Sequence, residues 1–297
     1  MSFLIKQLTI VGVGLMGASL ALALKRKDLV GEVVGVDRRR NSLDYALENG
    51  VIDRATTSIA EGAKGASVVL IATPVAAIVP TVKDCLPGLE PGCVVTDVGS
   101  VKGNIVAQCE AMMPEGCSFV GGHPIAGREH SGVEAALASL FDGSRTILTP
   151  SDTTDKQAVE LISEMWEAVG AGVEKMEPAW HDQVLAATSH LPHLMAYNVV
   201  NTLSDLEDHL RSEVFRYAAS GFRDFTRIAS SDPTMWRDIC LENRDAILTI
   251  LNRFRDDLDK LTTRVESGDA DGLYGIFARS KDTRQRILQE NKVLRGD

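Results

Sequence analysis

The first half of the chain alternates short, strongly apolar runs with stretches of helical spacing. Residues 8–13 read Leu-Thr-Ile-Val-Gly-Val, and similar runs occur at 33–37, 67–72 and 93–97, with shorter ones at 118–121 and 145–149. Runs that are apolar at every position, not at alternate ones, predict strands buried on both faces of a parallel sheet. Helical spacing fills the intervals near 16–26, 41–49, 75–85, 101–112 and 154–169. Strand–helix alternation of this kind predicts an α/β domain, a parallel sheet with helices on both faces.

After residue 176 the pattern changes. Glu177-Pro178 reads as a helix start, with proline in the first turn. No strand pattern follows. Long amphipathic stretches at 183–204, 237–265 and 272–294 predict an all-helical second domain. In the middle stretch Ile239, Ile247, Ile250, Leu251, Phe254, Leu258 and Leu261 recur at three- and four-residue steps. The expected division is therefore 1–176 and 177–297.

The first strand runs into Gly12-Val13-Gly14-Leu15-Met16-Gly17, a G-x-G-x-x-G that opens a helix. Asp37 closes the second strand, the context a dinucleotide-binding fingerprint requires. Gly12 then makes the tight turn, Gly14 lets the backbone approach a pyrophosphate, and Gly17 packs helix against strand. The open helix N-terminus offers N–H groups to phosphate. Asp37 favours the ribose hydroxyls of NAD over a 2′-phosphate. Arg38, Arg39 and Arg40 follow, however, so NADP stays open. Thr73, just past the third strand, joins Leu15, Met16 and Arg38 as an expected cofactor contact.

Charge and cysteine usage narrow the class. Lys+Arg total 31 against 41 Asp+Glu, a net charge of −10 with no basic stripe, which argues against nucleic acid as a partner. Five cysteines without a C-x-x-C predict reduced thiols, neither a disulfide framework nor a zinc site. The N-terminus lacks the pattern of a signal peptide, and no apolar run is long enough to span a membrane. These features predict a cytoplasmic protein with no metal site.

Three further segments carry candidate chemistry. Ser100, in Thr96-Asp97-Val98-Gly99-Ser100-Val101-Lys102, follows the fourth strand, where a ligand crevice opens. Its plainer role is to cap a helix beginning near Val101. His123 follows Gly121-Gly122 at the end of the fifth strand, placed as a proton acceptor or as a structural turn residue. In Ser189-His190-Leu191-Pro192-His193, one histidine is expected to pack between helices and one to reach the cleft. Arg227 could hold a carboxylate through a bidentate pair, or form a surface salt bridge.

Taken together, these segments resemble the prephenate/arogenate (cyclohexadienyl) dehydrogenase family of tyrosine biosynthesis. The resemblance rests on V-G-V-G-L-M-G-A-S, T-D-V-G-S-V-K, G-G-H-P-I-A-G-x-E, S-H-L-P-H and G-F-R-D-F-T-R-I-A-x-S-D-P-x-M-W, in that order along nearly the whole chain. It implies a Rossmann domain followed by a helical substrate and dimerisation domain, as in 6-phosphogluconate dehydrogenase, and a homodimer. The implied reaction is oxidative decarboxylation of prephenate, or of arogenate, with reduction of NAD. In that reaction His123 accepts the hydrogen bond of the substrate C4 hydroxyl and Ser100 orients it. Arg227 pairs with the ring carboxylate and His193 lines the pocket. Glu129, Asp224 and Trp236 belong to its surroundings. Arg128 stands where many relatives carry a smaller polar residue. Its guanidinium would attract the carboxylate of the substrate side chain and disfavour an ammonium, a several-fold preference for prephenate. No ACT regulatory domain and no fused chorismate mutase is expected. The competing readings are another hydroxyacid dehydrogenase with a helical domain, or a non-catalytic NAD(H) sensor. The first is disfavoured because no lysine occurs from Asp182 to Arg211.

Overall fold

The computed structural model describes residues 4–128 and 130–295. Eight strands form one sheet in the order β3-β2-β1-β4-β5-β6-β7-β8. They are β1 (Ile5–Val11), β2 (Val30–Val36), β3 (Arg54–Thr56), β4 (Val68–Ile71), β5 (Val94–Asp97), β6 (Ser118–Ile125), β7 (Arg145–Thr149) and β8 (Gly172–Lys175). The first six run parallel, β7 is antiparallel to β6, and β8 is parallel to β7. The central strands are buried on both faces: Leu8, Ile10, Val68, Leu70 and Ile71 expose no surface. That is why they read as unbroken apolar runs. Helices α1 (Leu15–Arg26), α2 (Arg40–Glu48), α3 (Ile59–Ala63), α4 (Ile78–Cys85), α5 (Gly103–Met112) and α6 (Lys156–Ala168) connect them. Strands β3 and β8 escape sequence reading because they are short and carry polar residues, so ladder pairing and not side-chain pattern defines them.

The fifth predicted strand is longer than its apolar core. β6 continues through His123 to Ile125. Up to Val120 it pairs with β5; from Gly121 on it pairs with β7. His123 thus lies inside a strand, in the part that has left β5, and not in a glycine turn after it. Glycine at 122 permits the change of partner, because a Cβ there would lie 2.8 Å from the Asp97 carbonyl oxygen.

The departure of β6 is fixed by a buried ion pair. Asp97 ends β5 and Lys102 immediately precedes α5, and neither side chain is exposed to solvent. The Lys102 ammonium donates to the Asp97 carboxylate and, at 3.0 Å, to the Gly122 carbonyl. Asp97 in turn accepts the Gly99 N–H at 2.8 Å and the Gly122 N–H at 3.1 Å. Ser100 lies within this clasp. The helix begins at Gly103, so Ser100 is not its cap.

The second half is helical: α7 (Pro178–Leu185), α8 (Leu191–Ser204), α9 (Asp208–Arg216), α10 (Ser220–Thr226), α11 (Pro233–Glu242), α12 (Arg244–Ser267) and α13 (Ala270–Arg295). A wide π turn over Ala186–His190 joins α7 to α8. Pro192 explains it, since proline has no N–H to donate to the preceding turn. The stretch predicted as one helix over 237–265 breaks at Asn243, whose buried amide is drawn to other partners. Contacts group the chain into one unit ending at Ile247 and a second beginning at Leu248. Helices α7–α11 belong to the first unit with the sheet.

The buried clasp yields a stability prediction. Lys102→Met leaves the Asp97 carboxylate buried without its cation, which should lower the unfolding free energy by about 3–5 kcal/mol. A urea titration reads this as an earlier midpoint at unchanged slope. A wild-type midpoint would deny the pair its structural role.

Candidate active site

The carboxyl edge of the sheet carries a cavity of about 550 Å³, lined among others by Gly12, Gly14, Asp37, Arg38 and Thr73. Gly12 makes the turn out of β1 at φ 97°, and a Cβ there would stand 2.5 Å from the Ala72 carbonyl oxygen. A Cβ at Gly17 would collide with Ile10, so that glycine serves helix–strand packing. Gly14 differs, because nothing lies within 4 Å of where its Cβ would be. Space left open by a glycine at a helix start suits a ligand and not protein packing. Leu15, Met16 and Gly17 form the first turn of α1, which has neither a side-chain cap nor an acidic residue. Its free N–H groups and dipole favour a phosphate. Thr73 Oγ1 is buried and without a hydrogen-bond partner, as expected of a group that meets a ligand. Asp37 accepts the Val13 N–H at 3.1 Å and the Arg39 N–H at 2.9 Å. These residues fit an NAD adenosine diphosphate moiety. Arg39 also lines the cavity.

Along the same edge His123 is half-buried. Its Nδ1 lies 2.9 Å from Nε2 of His181, and His181 Nδ1 lies 2.8 Å from Oδ1 of Asp182. His181 is completely buried and Asp182 nearly so. Asp182 also accepts the N–H groups of Lys102 (2.8 Å) and Gly103 (2.7 Å), the open end of α5. Burial pushes the His123 pKa well below its ordinary value, and His181, Lys102 and His190 add to the shift. His123 is therefore a neutral base near pH 7. No hydrogen bond among the described residues engages the Ser100 hydroxyl.

The helical wall contributes the other candidates. His190 is the packed histidine, 1 % exposed, with Nδ1 at 3.2 Å from the Asn243 amide. Burial lowers its pKa to about 4, against the opposing pull of Asp182. His193 is half-buried; its Nδ1 donates to the Ser189 carbonyl at 2.8 Å and its ring stacks on Trp236 with centroids 4.1 Å apart. Burial also lowers the His193 pKa, the Ser189 carbonyl opposes this, and the charge of Arg227 adds to the lowering. Arg227 is exposed and begins a short helical turn, Arg227–Ser230, that packs against α8, the helix of His193. Asp224 and Arg128 are exposed; Arg128 donates to the Ala135 carbonyl at 3.3 Å. Glu129 lies outside the described residues.

Two family models match: "Prephenate dehydrogenase, nucleotide-binding domain" over residues 20–175, and "Prephenate dehydrogenase, dimerization domain" over 177–279. The chain belongs to the prephenate dehydrogenase family. Prephenate dehydrogenase of Bacillus subtilis is 41 % identical over 95 % of this chain and 76 % of that protein. Cyclohexadienyl dehydrogenase of Zymomonas mobilis is 36 % identical over 97 % and 98 %. Among solved structures, Aquifex aeolicus prephenate dehydrogenase in complex with hydroxyphenyl propionate and NAD+ superposes with a TM-score of 0.89. It is 39 % identical over 97 % of this chain and 99 % of that one. Synechocystis arogenate dehydrogenase gives a TM-score of 0.82 at 29 % identity over 95 % and 99 %.

Against this prephenate dehydrogenase framework, sequence reading missed His181, Asp182 and Asn243. His181-Asp182 looks like the ordinary polar start of an amphipathic helix, and 58 residues separate His181 from His123. Lys102 offered a readable signal, a cation five residues beyond an aspartate in a largely apolar segment.

The cleft geometry predicts the behaviour of Asp37→Ala. A charged hydrogen bond contributes roughly 1.5–3 kcal/mol, so KM for NAD should rise by about 10–150-fold with turnover largely kept. An unchanged KM would mean that Asp37 serves only Val13 and Arg39.

Proposed function

We propose that this chain oxidises prephenate to 4-hydroxyphenylpyruvate and carbon dioxide in tyrosine biosynthesis, with NAD as oxidant. His123 acts as base, Ser100 orients the hydroxyl and Arg227 holds the ring carboxylate. The observation that carries the assignment of roles is the His123 ring: half-buried, kept neutral by burial, and on the same sheet edge as the glycine turn. NAD, when bound, supplies the hydride acceptor. His123 takes the C4 hydroxyl proton as the C4–H bond gives up its electron pair, so that C4 becomes a carbonyl carbon. The ring carboxylate then leaves as carbon dioxide. Its bonding pair returns to the ring, which becomes aromatic, and the oxygen regains the proton from His123. No net proton is released.

The helical wall shapes the rest of the pocket. His193, half-buried and backed by the buried Trp236 ring, faces the substrate ring, with Arg227 on the short turn packed against the same helix. A functional division at residue 176 is supported by the two matched family models, which end and begin on either side of it. The second domain forms a homodimer: Phe254, Leu258, Tyr274 and Phe277 are exposed on α12 and α13, an apolar surface of the kind that marks an interface. A reducing compartment, the cytoplasm, suits five unpaired cysteines.

An absorbance assay of NADH formation with prephenate tests the reading. His123→Asn should lose about 10²–10⁴-fold in turnover while NAD still binds; near wild-type turnover removes His123 from the role. Arg227→Ala should act mainly on KM for prephenate, raising it by about 10–150-fold. A fall in thermal stability at unchanged KM would assign Arg227 to a salt bridge instead. Light scattering should give about twice 32.1 kDa at micromolar concentration; a monomeric mass would contradict the dimer.

A further inference from the structure

We propose that His181 and Asp182 are positioning residues that hold His123 in the one tautomer able to act as a base, through an unbranched chain of hydrogen bonds ending in a buried carboxylate. The inference rests on His123 as the base in the function above.

The chain reads from its buried end. Asp182 accepts from two backbone N–H groups at the start of α5 and lies against a third partner, the His181 ring nitrogen. Both oxygens of this carboxylate already accept backbone N–H groups, so it acts as an acceptor. The His181 nitrogen facing it, Nδ1, must therefore carry hydrogen. In the tautomer with hydrogen on Nδ1, the His181 Nε2 is a lone pair. That lone pair faces His123 Nδ1 at 2.9 Å, so His123 Nδ1 carries hydrogen and donates. The remaining His123 nitrogen, Nε2, is left with a lone pair to accept the substrate hydroxyl proton. Were the order reversed, Nε2 would already hold hydrogen and His123 could not serve as base.

The same chain bears on the charged state. When the hydroxyl proton reaches Nε2, the His123 imidazolium donates through Nδ1 to His181, and the Asp182 charge stabilises it across one ring. The chain ends in the interior, with His181 fully buried and Asp182 6 % exposed. A buried end suits a reaction whose borrowed proton goes back to the product oxygen, because the chain needs no outlet to solvent. Asp182 also fastens α7 to α5, which has no side-chain cap of its own. The same carboxylate thereby ties the position of the helical wall to the tautomer of the base.

Two substitutions separate positioning from mere packing. His181→Leu removes the acceptor, whereas His181→Gln keeps one, its amide oxygen facing His123 and its amide nitrogen facing Asp182. His181→Leu should lower kcat by about 10²-fold or more, with KM for prephenate and the affinity for NAD within about threefold of wild type. His181→Gln should recover at least tenfold of that loss. Ring-nitrogen NMR of the wild type, with six histidines to assign, should show His123 protonated at Nδ1 and free at Nε2 near neutral pH. The proposal is overturned by a His123 protonated at Nε2, by a His181→Leu enzyme with wild-type kcat, or by His181→Gln as impaired as His181→Leu. If His181→Leu does not fold, the NMR tautomer and the kcat of His181→Gln decide. Failure of the functional reading looks different: there the wild type itself is inactive on prephenate, or His123→Asn is fully active.

Discussion

The Asp97–Lys102 ion pair is the contact on which the site depends. Both charges are removed from water, and desolvation of that size consumes most of what their attraction returns. The pair is tolerable because Asp97 also accepts the Gly99 and Gly122 N–H groups and Lys102 also donates to the Gly122 carbonyl. What it contributes is geometry. It joins the end of β5, the start of α5 and the point where β6 leaves β5 for β7. Ser100 sits inside that join and His123 directly after it. Asp182 then holds the backbone of the same Lys102, so the helical wall is fastened to the clasp as well. An apolar substitute of equal volume would pack as well, but would leave the backbone groups of Gly99 and Gly122 without partners.

Three of the four histidines around the site obey one rule. In each, Nδ1 is taken by the protein: by His181 for His123, by Asn243 for His190, by the Ser189 carbonyl for His193. Each is depressed in pKa with burial as the first cause. Their differing partners set differing characters. His193 donates to a carbonyl, which leaves Nε2 as an acceptor. His190 accepts from the Asn243 amide, so its Nε2 carries the hydrogen and is buried without a hydrogen-bond partner, edge-on to Trp236 at 5.9 Å. One environment thus holds two bases and one donor, chosen by what stands behind each ring.

How much of this the sequence discloses depends on the range of the interaction. The sheet core is legible, because burial on both faces writes itself as a continuous apolar run. The glycine turn is legible, because its constraint is local to six residues. His123 and Ser100 can be singled out from their neighbours, yet the course of β6 cannot. Its outer half is set by pairing with β7 across an antiparallel ladder, and a Gly-Gly-His-Pro string has no strand propensity to announce it. The break at Asn243 is hidden for the same reason: helical periodicity continues across it, while the amide leaves the pattern to reach Asp182 and His190. His181-Asp182 lies furthest from legibility, since its meaning resides in residues of β6 and α5.

Choice of cofactor illustrates how one side chain can serve fold and function together. Asp37 is spent in part on its own turn, where it fixes the N–H groups of Val13 and Arg39. Oδ2 has a second lone pair and Arg39 Nε meets Oδ1 only at 3.5 Å, so two ribose hydroxyls can be accepted without breaking either backbone bond. A 2′-phosphate at the same place meets an oxygen that can neither donate nor move away, because the turn holds it. At about 4 Å such a repulsion is roughly 1 kcal/mol per charge pair in water and about 4 kcal/mol at a protein-like dielectric of 20. Arg38 and Arg39 offset that only to the extent that they approach the phosphate. The Arg39 side chain is largely exposed, with Nε turned toward Asp37 itself at 3.5 Å. A solvated guanidinium of this kind contributes little, whereas the fixed carboxylate acts at full strength, and the balance falls to NAD.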